Sequence, residues 1–136
     1  MGPKINQDLL FKMLISSGYN FFVGVPDSSL KVFQKNIINS NFKNIIATHE
    51  SQAIAIAFGA ILAGKKACVY LQNSGLGNLI NPISSLCIPF NIYPWLIIGH
   101  RHTLSQHKVM GEIDEKLLHL LDYPNYIIVE GENNVK

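Results

Sequence analysis

Glu50 stands where a strand-like stretch ends and a strongly apolar helix begins, a place where a carboxylate can do chemistry. It is followed by Ala53, Ile54, Ala55, Ile56, Ala57, Phe58 and Gly59, so the helix it opens must be largely buried. An acid at such a junction is partly desolvated, which suits a group that shares a proton with a ligand nitrogen. The position equally fits a first-turn glutamate that complements the helix dipole. A second group is Gln72-Asn73-Ser74-Gly75-Leu76-Gly77-Asn78. Its glycines let the backbone approach a flat ligand, and its amide side chains offer donors and acceptors; an ordinary turn is the alternative. The spacing is not the GxGxxG of a dinucleotide site, and no Gly-Lys-Ser/Thr follows as in a P-loop. A third group, His100, Arg101, His102 and His107, lies in one polar stretch. Three imidazoles and a guanidinium suit an anionic substrate or proton movement, with a solvated loop as the alternative. The histidines have no carboxylate at a regular offset, so no metal-ligand set is read from them. Neither a Ser-His-Asp order nor a GxSxG elbow supports a hydrolase.

The elements that must position these groups follow from hydrophobic spacing. Ile5, Leu9, Leu10, Met13 and Leu14 predict a helix opened by Asn6 or Asp8 and closed by Gly18. Phe21 to Val23 predicts a strand that stops at the turn Gly24-Val25-Pro26-Asp27-Ser28-Ser29, before a helix carrying Leu30, Val32, Phe33 and Ile37. The alternation continues with a strand at Asn44 to Thr48, a helix at Glu50 to Ala63 and a strand at Ala67 to Leu71. The Gln72 to Asn78 loop leads to a helix at Leu79 to Leu86, where Pro82 is tolerated in the first turn, and a strand at Tyr93 to Ile98. His100 to Met110 reads as loop, Glu112 to Leu121 as helix, and Tyr126 to Val129 as a last strand. About five strands separated by helices imply an α/β fold, a doubly wound, mostly parallel sheet with helices on both faces. Ligands collect at the carboxyl ends of such strands. The loops at that edge, Gly24 to Ser29, Thr48 to Glu50, Gln72 to Asn78 and Gly99 to Met110, are the ones that hold the candidate residues.

The 136 residues, 48% of them hydrophobic, suffice for one compact core, so residues 1–136 are read as a single domain. With 15% charged residues, a net charge of +2 and scattered Lys and Arg, nucleic acid is not expected as a partner. The low charge and a mean hydropathy of +0.19 point instead to apolar surface covered by another subunit, hence an oligomer. Cys68 and Cys87 form no CxxC pair and read as reduced, buried thiols. The N-terminus has no signal-like pattern, and the apolar runs are too interrupted to span a bilayer, so a cytoplasmic protein with no membrane partner is expected.

Taken together, Gly24-Val25-Pro26-Asp27-Ser28-Ser29-Leu30, His49-Glu50-Ser51-Gln52-Ala53, Ala60 to Lys66, and Gln72 to Asn78 with Asn81-Pro82 resemble a known family. They are similar to the N-terminal domain of phosphonopyruvate decarboxylases and to sulfopyruvate decarboxylase alpha subunits. The likeness runs from about Leu9 to Val129, and Gln106-His107, Met110-Gly111 and the Leu117-Leu118 helix are closer to the phosphonopyruvate enzymes. It implies the pyrimidine-binding domain of a thiamine diphosphate-dependent 2-oxo acid decarboxylase, converting 3-phosphonopyruvate to phosphonoacetaldehyde and CO2. Glu50 would hydrogen-bond N1′ of the aminopyrimidine and favour its imino tautomer, while the thiazolium serves as electron sink as CO2 leaves. Gln72, Asn73, Ser74 and Gly75 would line the cofactor pocket with Glu50. Asp27, Ser28, Arg101 and His107 would meet the anionic substrate, with Ser28 and His107 joining Glu50 as catalytic residues.

The chain departs from that family in places. The Arg101 to Gln106 loop is shorter, His102 stands where a Gly follows the Arg, and Asp27 adds a negative charge near a site for a dianion, which leaves the choice of 2-oxo acid open. No Gly-Asp-Gly with a downstream Asn occurs, the segment that in the family holds Mg2+ and the cofactor diphosphate. The chain also stops before the last helix and strand of a complete pyrimidine domain. The resemblance therefore implies a diphosphate-binding partner domain or subunit that supplies the Mg2+ site. A sulfopyruvate decarboxylase alpha subunit and a non-catalytic interaction module that keeps the fold are the alternatives.

Overall fold

The computed structural model describes residues 4–131. Five strands, β1 (Phe21–Gly24), β2 (Lys43–Ile46), β3 (Ala67–Gln72), β4 (Trp95–His100) and β5 (Tyr126–Glu130), form one sheet in the order β2-β1-β3-β4-β5. Every pairing is parallel, with Phe21 beside Ala67, Cys68 beside Trp95 and His100 beside Glu130. Helices α1 (Gln7–Ser16), α2 (Lys31–Ile38), α3 (Glu50–Leu62) and α4 (Ser105–Leu120) cover the two faces. Among the described residues, no helix is long and apolar enough to cross a membrane.

Alternation along the strands builds two cores, because successive side chains leave opposite faces. Phe22, Cys68, Tyr70 and Ile97 pack under α1 and α2 with Leu10, Leu14, Phe33 and Ile37. Val23, Val69, Leu71, Leu96 and Ile98 pack on the other side with Ala53, Ile54 and Ala57 of α3 and Leu118 of α4. Covering on both faces explains why β3 and β4 are almost unbroken apolar runs.

Three expectations shift. The buried face of α1 is Gln7, Leu10 and Leu14, whereas Leu9 and Met13 are 56% and 59% exposed. Asn6 caps this helix by accepting from the Leu9 N–H at 3.0 Å. The stretch expected to be a loop at Gln72 to Asn78 winds into 3-10 turns over Asn73–Leu79 and continues as an irregular helix through Ile80–Pro82, a π-type turn at Ile83–Cys87 and Ile88–Phe90. The expected loop at His100 to Met110 is helical from Ser105, because α4 buries His107 and Asp114 together with Leu118. Those three lie on one helical face, and two of them are polar, so the hydrophobic pattern begins later than the helix does.

Candidate active site at the strand ends

The segment that follows β3 is the spine of the site, since consecutive residues reach out to different elements. Gln72 Oε1 accepts from Nη1 of Arg101 at 3.2 Å. Asn73 Nδ2 donates to the Arg101 carbonyl at 2.9 Å and to Oδ2 of Asp114 at 3.1 Å. Ser74 Oγ lies 3.1 Å from Nδ1 of His107. Gly75 packs against Glu50, and Nδ2 of Asn78 donates to Glu50 Oε2 at 2.8 Å.

Glu50 is the first residue of α3 and is 8% exposed. The helix start places it near unpaired backbone N–H groups, a favourable setting for an anion. Asn78 fixes one carboxyl oxygen, while among the described residues Oε1 has no hydrogen-bond partner. A methyl group at Gly75 would stand 2.5 Å from that oxygen, so only a glycine leaves the carboxyl in place. The result is an oriented acid with one oxygen uncommitted and a side-chain-free surface beside it, which suits a planar nitrogen heterocycle presenting a ring nitrogen.

A charged cluster occupies the ends of β1 and β4. Asp27 Oδ1 accepts from Arg101 Nη1 at 3.2 Å, with side-chain exposures of 5% for the aspartate and 28% for the arginine. Asp27 Oδ2 also accepts from the backbone N–H of Ser29 at 2.9 Å and from its hydroxyl. Gly99 of β4 makes room for this turn, because a Cβ there would collide with Ser29 Oγ. Arg101 is thus braced by Asp27 and Gln72 through Nη1, while its remaining donors are not engaged among the described residues.

Residues 6–118 match the family described as thiamine pyrophosphate enzyme, N-terminal TPP binding domain. The chain belongs to this family. Among relatives of this N-terminal TPP-binding domain, the sulfopyruvate decarboxylase subunit alpha of Methanocaldococcus jannaschii is 42% identical over 122 residues, covering 86% of this chain and 72% of that protein. The phosphonopyruvate decarboxylase of Streptomyces viridochromogenes is 36% identical over 115 residues, which are 80% of this chain and 29% of the relative. A solved structure described as thiamin diphosphate-dependent, from Mycobacterium smegmatis, superposes with a TM-score of 0.53 at 27% identity, covering 79% of this chain and 20% of that one. The all-parallel sheet with helices on both faces is the α/β fold expected for the family.

The fold of this TPP-binding domain brings Glu50, Gln72, Ser74, Gly75, Asp27, Arg101 and His107 to one sheet edge. Ser28 is exposed at the rim, and none of the hydrogen bonds described above involves its side chain. Asn73 differs from the expectation of a pocket-lining amide. It is fully buried, both of its described bonds run inward, and its Oδ1 has no partner among the described residues. Two contributors escaped the sequence reading. Asn78 was part of the motif, but nothing in its spacing ties it to Glu50. Asp114 is buried with 4% exposure and accepts from Asn73 and pairs with His100 at 2.6 Å. Its position two helical turns after His107 on one face was the available signal.

Proposed function

We propose that this chain is the pyrimidine-binding component of a thiamine diphosphate-dependent 2-oxo acid decarboxylase that works with a diphosphate-binding partner. The observation that carries the reading is the Glu50 carboxyl, held at Oε2 by Asn78 and left uncommitted at Oε1 over Gly75. In this assignment Glu50 shares a proton with N1′ of the aminopyrimidine, and its burial at the start of α3 keeps water from competing for it. When bound, the cofactor supplies the electron sink that lets CO2 leave. Gln72, Ser74 and Gly75 line the ring's surroundings, and Asn73 holds the backbone of that segment against α4. Arg101 offers its unengaged donors to the anionic end of the substrate, while Asp27 and Gln72 keep the guanidinium in position. His107, fixed by Ser74, holds or moves a proton near the substrate, and Ser28 contacts the substrate from the rim. Mg2+ and the cofactor diphosphate fall to the partner.

The substrate class is a small 2-oxo acid with a second anionic group. Phosphonopyruvate is one reading, and sulfopyruvate is the other, favoured by the 42% identity to an alpha subunit of which the match covers 72%. The test is to assemble the chain with a diphosphate-binding subunit and follow decarboxylation of both acids. Glu50→Gln should lower kcat by about 10²–10⁴-fold in that assembly. Full activity of Glu50→Gln, or tight Mg2+-dependent cofactor binding by the isolated chain, would sink the proposal.

A further inference from the structure

A second constellation lies beside this site and shares Asp114 with it. His100 ends β4, Glu130 ends β5, and the two are register partners, so both side chains leave the same face of the sheet. His102 folds back until its ring centroid is 4.7 Å from that of His100. One ligand atom from each of His100, His102 and Glu130 lies within 4.8 Å of the other two. Helix α4 presses His102 into place, since a Cβ at Gly111 would stand 2.5 Å from the Cβ of His102. Nδ1 of His102 is buried and has no hydrogen-bond partner among the described residues.

Behind His100 stands Asp114, whose Oδ2 lies 2.6 Å from Nδ1 of the imidazole. A carboxylate in that position fixes the tautomer and turns the far nitrogen outward, as behind metal-bound histidines. Asp114 is itself steadied by Asn73. The cluster opens on a cavity of about 1000 Å³ that Thr103, Lys108 and Glu112 also line.

We propose that His100, His102 and Glu130 bind one divalent transition-metal ion of the zinc class, with Asp114 orienting His100 and a fourth position open to the cavity. Two imidazoles and a carboxylate are a zinc donor set, and imidazole donors select zinc, cobalt, nickel or copper over magnesium and calcium. The ion ties the carboxyl ends of β4 and β5 together. Through Asp114 and Asn73 it also steadies the Arg101 backbone beside the Glu50 site. Residue spacing hid the set, because Glu130 is brought in by strand pairing rather than by sequence offset.

Calorimetric titration of the chelator-stripped full chain with Zn2+, paralleled by Co2+ absorption, tests this without thiamine diphosphate, so its result is separate from the Glu50 reading. One saturable ion per chain is expected, with a ligand-field spectrum for Co2+ and no competition from millimolar Mg2+. His102→Ala and Glu130→Gln should each weaken Zn2+ binding strongly, and Asp114→Asn about 10–100-fold. His119→Ala, which alters the same cavity, and His49→Ala should bind as the parent does. Absence of saturable binding, unchanged binding by His102→Ala, or loss of binding in His119→Ala overturns the proposal. Circular dichroism checks that each variant is folded, and His102→Ala decides alone if Asp114→Asn is not.

Discussion

At the scale of single residues, the site depends on one side chain that is absent. Gly75 gives Glu50 its space, so Gly75→Ala should push the carboxyl aside and lower kcat of the assembled enzyme by at least about 10-fold. Glu50→Gln and Gly75→Ala act on the same group, so the double variant should lose little more than Glu50→Gln alone. Fully additive losses in steady-state kinetics would mean that Gly75 acts independently of Glu50. Glu50 was legible because a lone acid preceded a long apolar helix, and the Gln72 to Asn78 segment because glycines and amides alternate there. Asn73 and Asn78 look alike in the sequence, yet one faces the interior and the other the carboxylate. Only the winding of the 3-10 turns separates them.

At the scale of elements, polar residues in core positions account for the largest shifts. Gln7 is 1% exposed and joins three elements: Nε2 donates to the Ser29 carbonyl and Oε1 accepts from the Phe33 N–H, each at 2.9 Å. It thereby positions the Asp27 to Ser29 turn from α1. Gln7→Leu removes both bonds and leaves a buried donor and acceptor unpaired, so it should cost about 1–3 kcal/mol or more in urea unfolding. A loss under 0.5 kcal/mol, the range of ordinary surface substitutions, would mean that Gln7 is not a structural tie. Hydrophobic spacing read α3, β3 and β4 well because their cores are apolar. It found Leu10 and Leu14 of α1 but added the exposed Leu9 and Met13, and it began α4 late, because Gln7, His107 and Asp114 occupy inward positions.

At the scale of the whole molecule, alkaline pH should expose how the core is closed. Burial pushes the Cys87 thiol from its ordinary 9.0 up to about 11. Burial also raises the Tyr123 hydroxyl, which donates to the Pro94 carbonyl at 2.5 Å. Between pH 9 and 11 the unfolded chain loses the thiol proton while the folded chain keeps it. Stability is then full below pH 9 and falls as pH rises toward 11. Cys87→Ala should start from a lower melting temperature but decline less steeply over that window. An identical slope in the two proteins would show that the thiol makes no contribution.

The order β2-β1-β3-β4-β5 has a further consequence for the nascent chain. Because β1 lies between β2 and β3, Phe21 waits for Ala67 before its strand is flanked on both sides. Helix α3, with Ala53, Ile54 and Ala57 destined for the interior, packs on both β1 and β3, and it leaves the ribosome before β3 does. During that interval the part of the apolar helix that belongs on β3 stays uncovered, which makes this the stretch of synthesis in which chaperone capture matters.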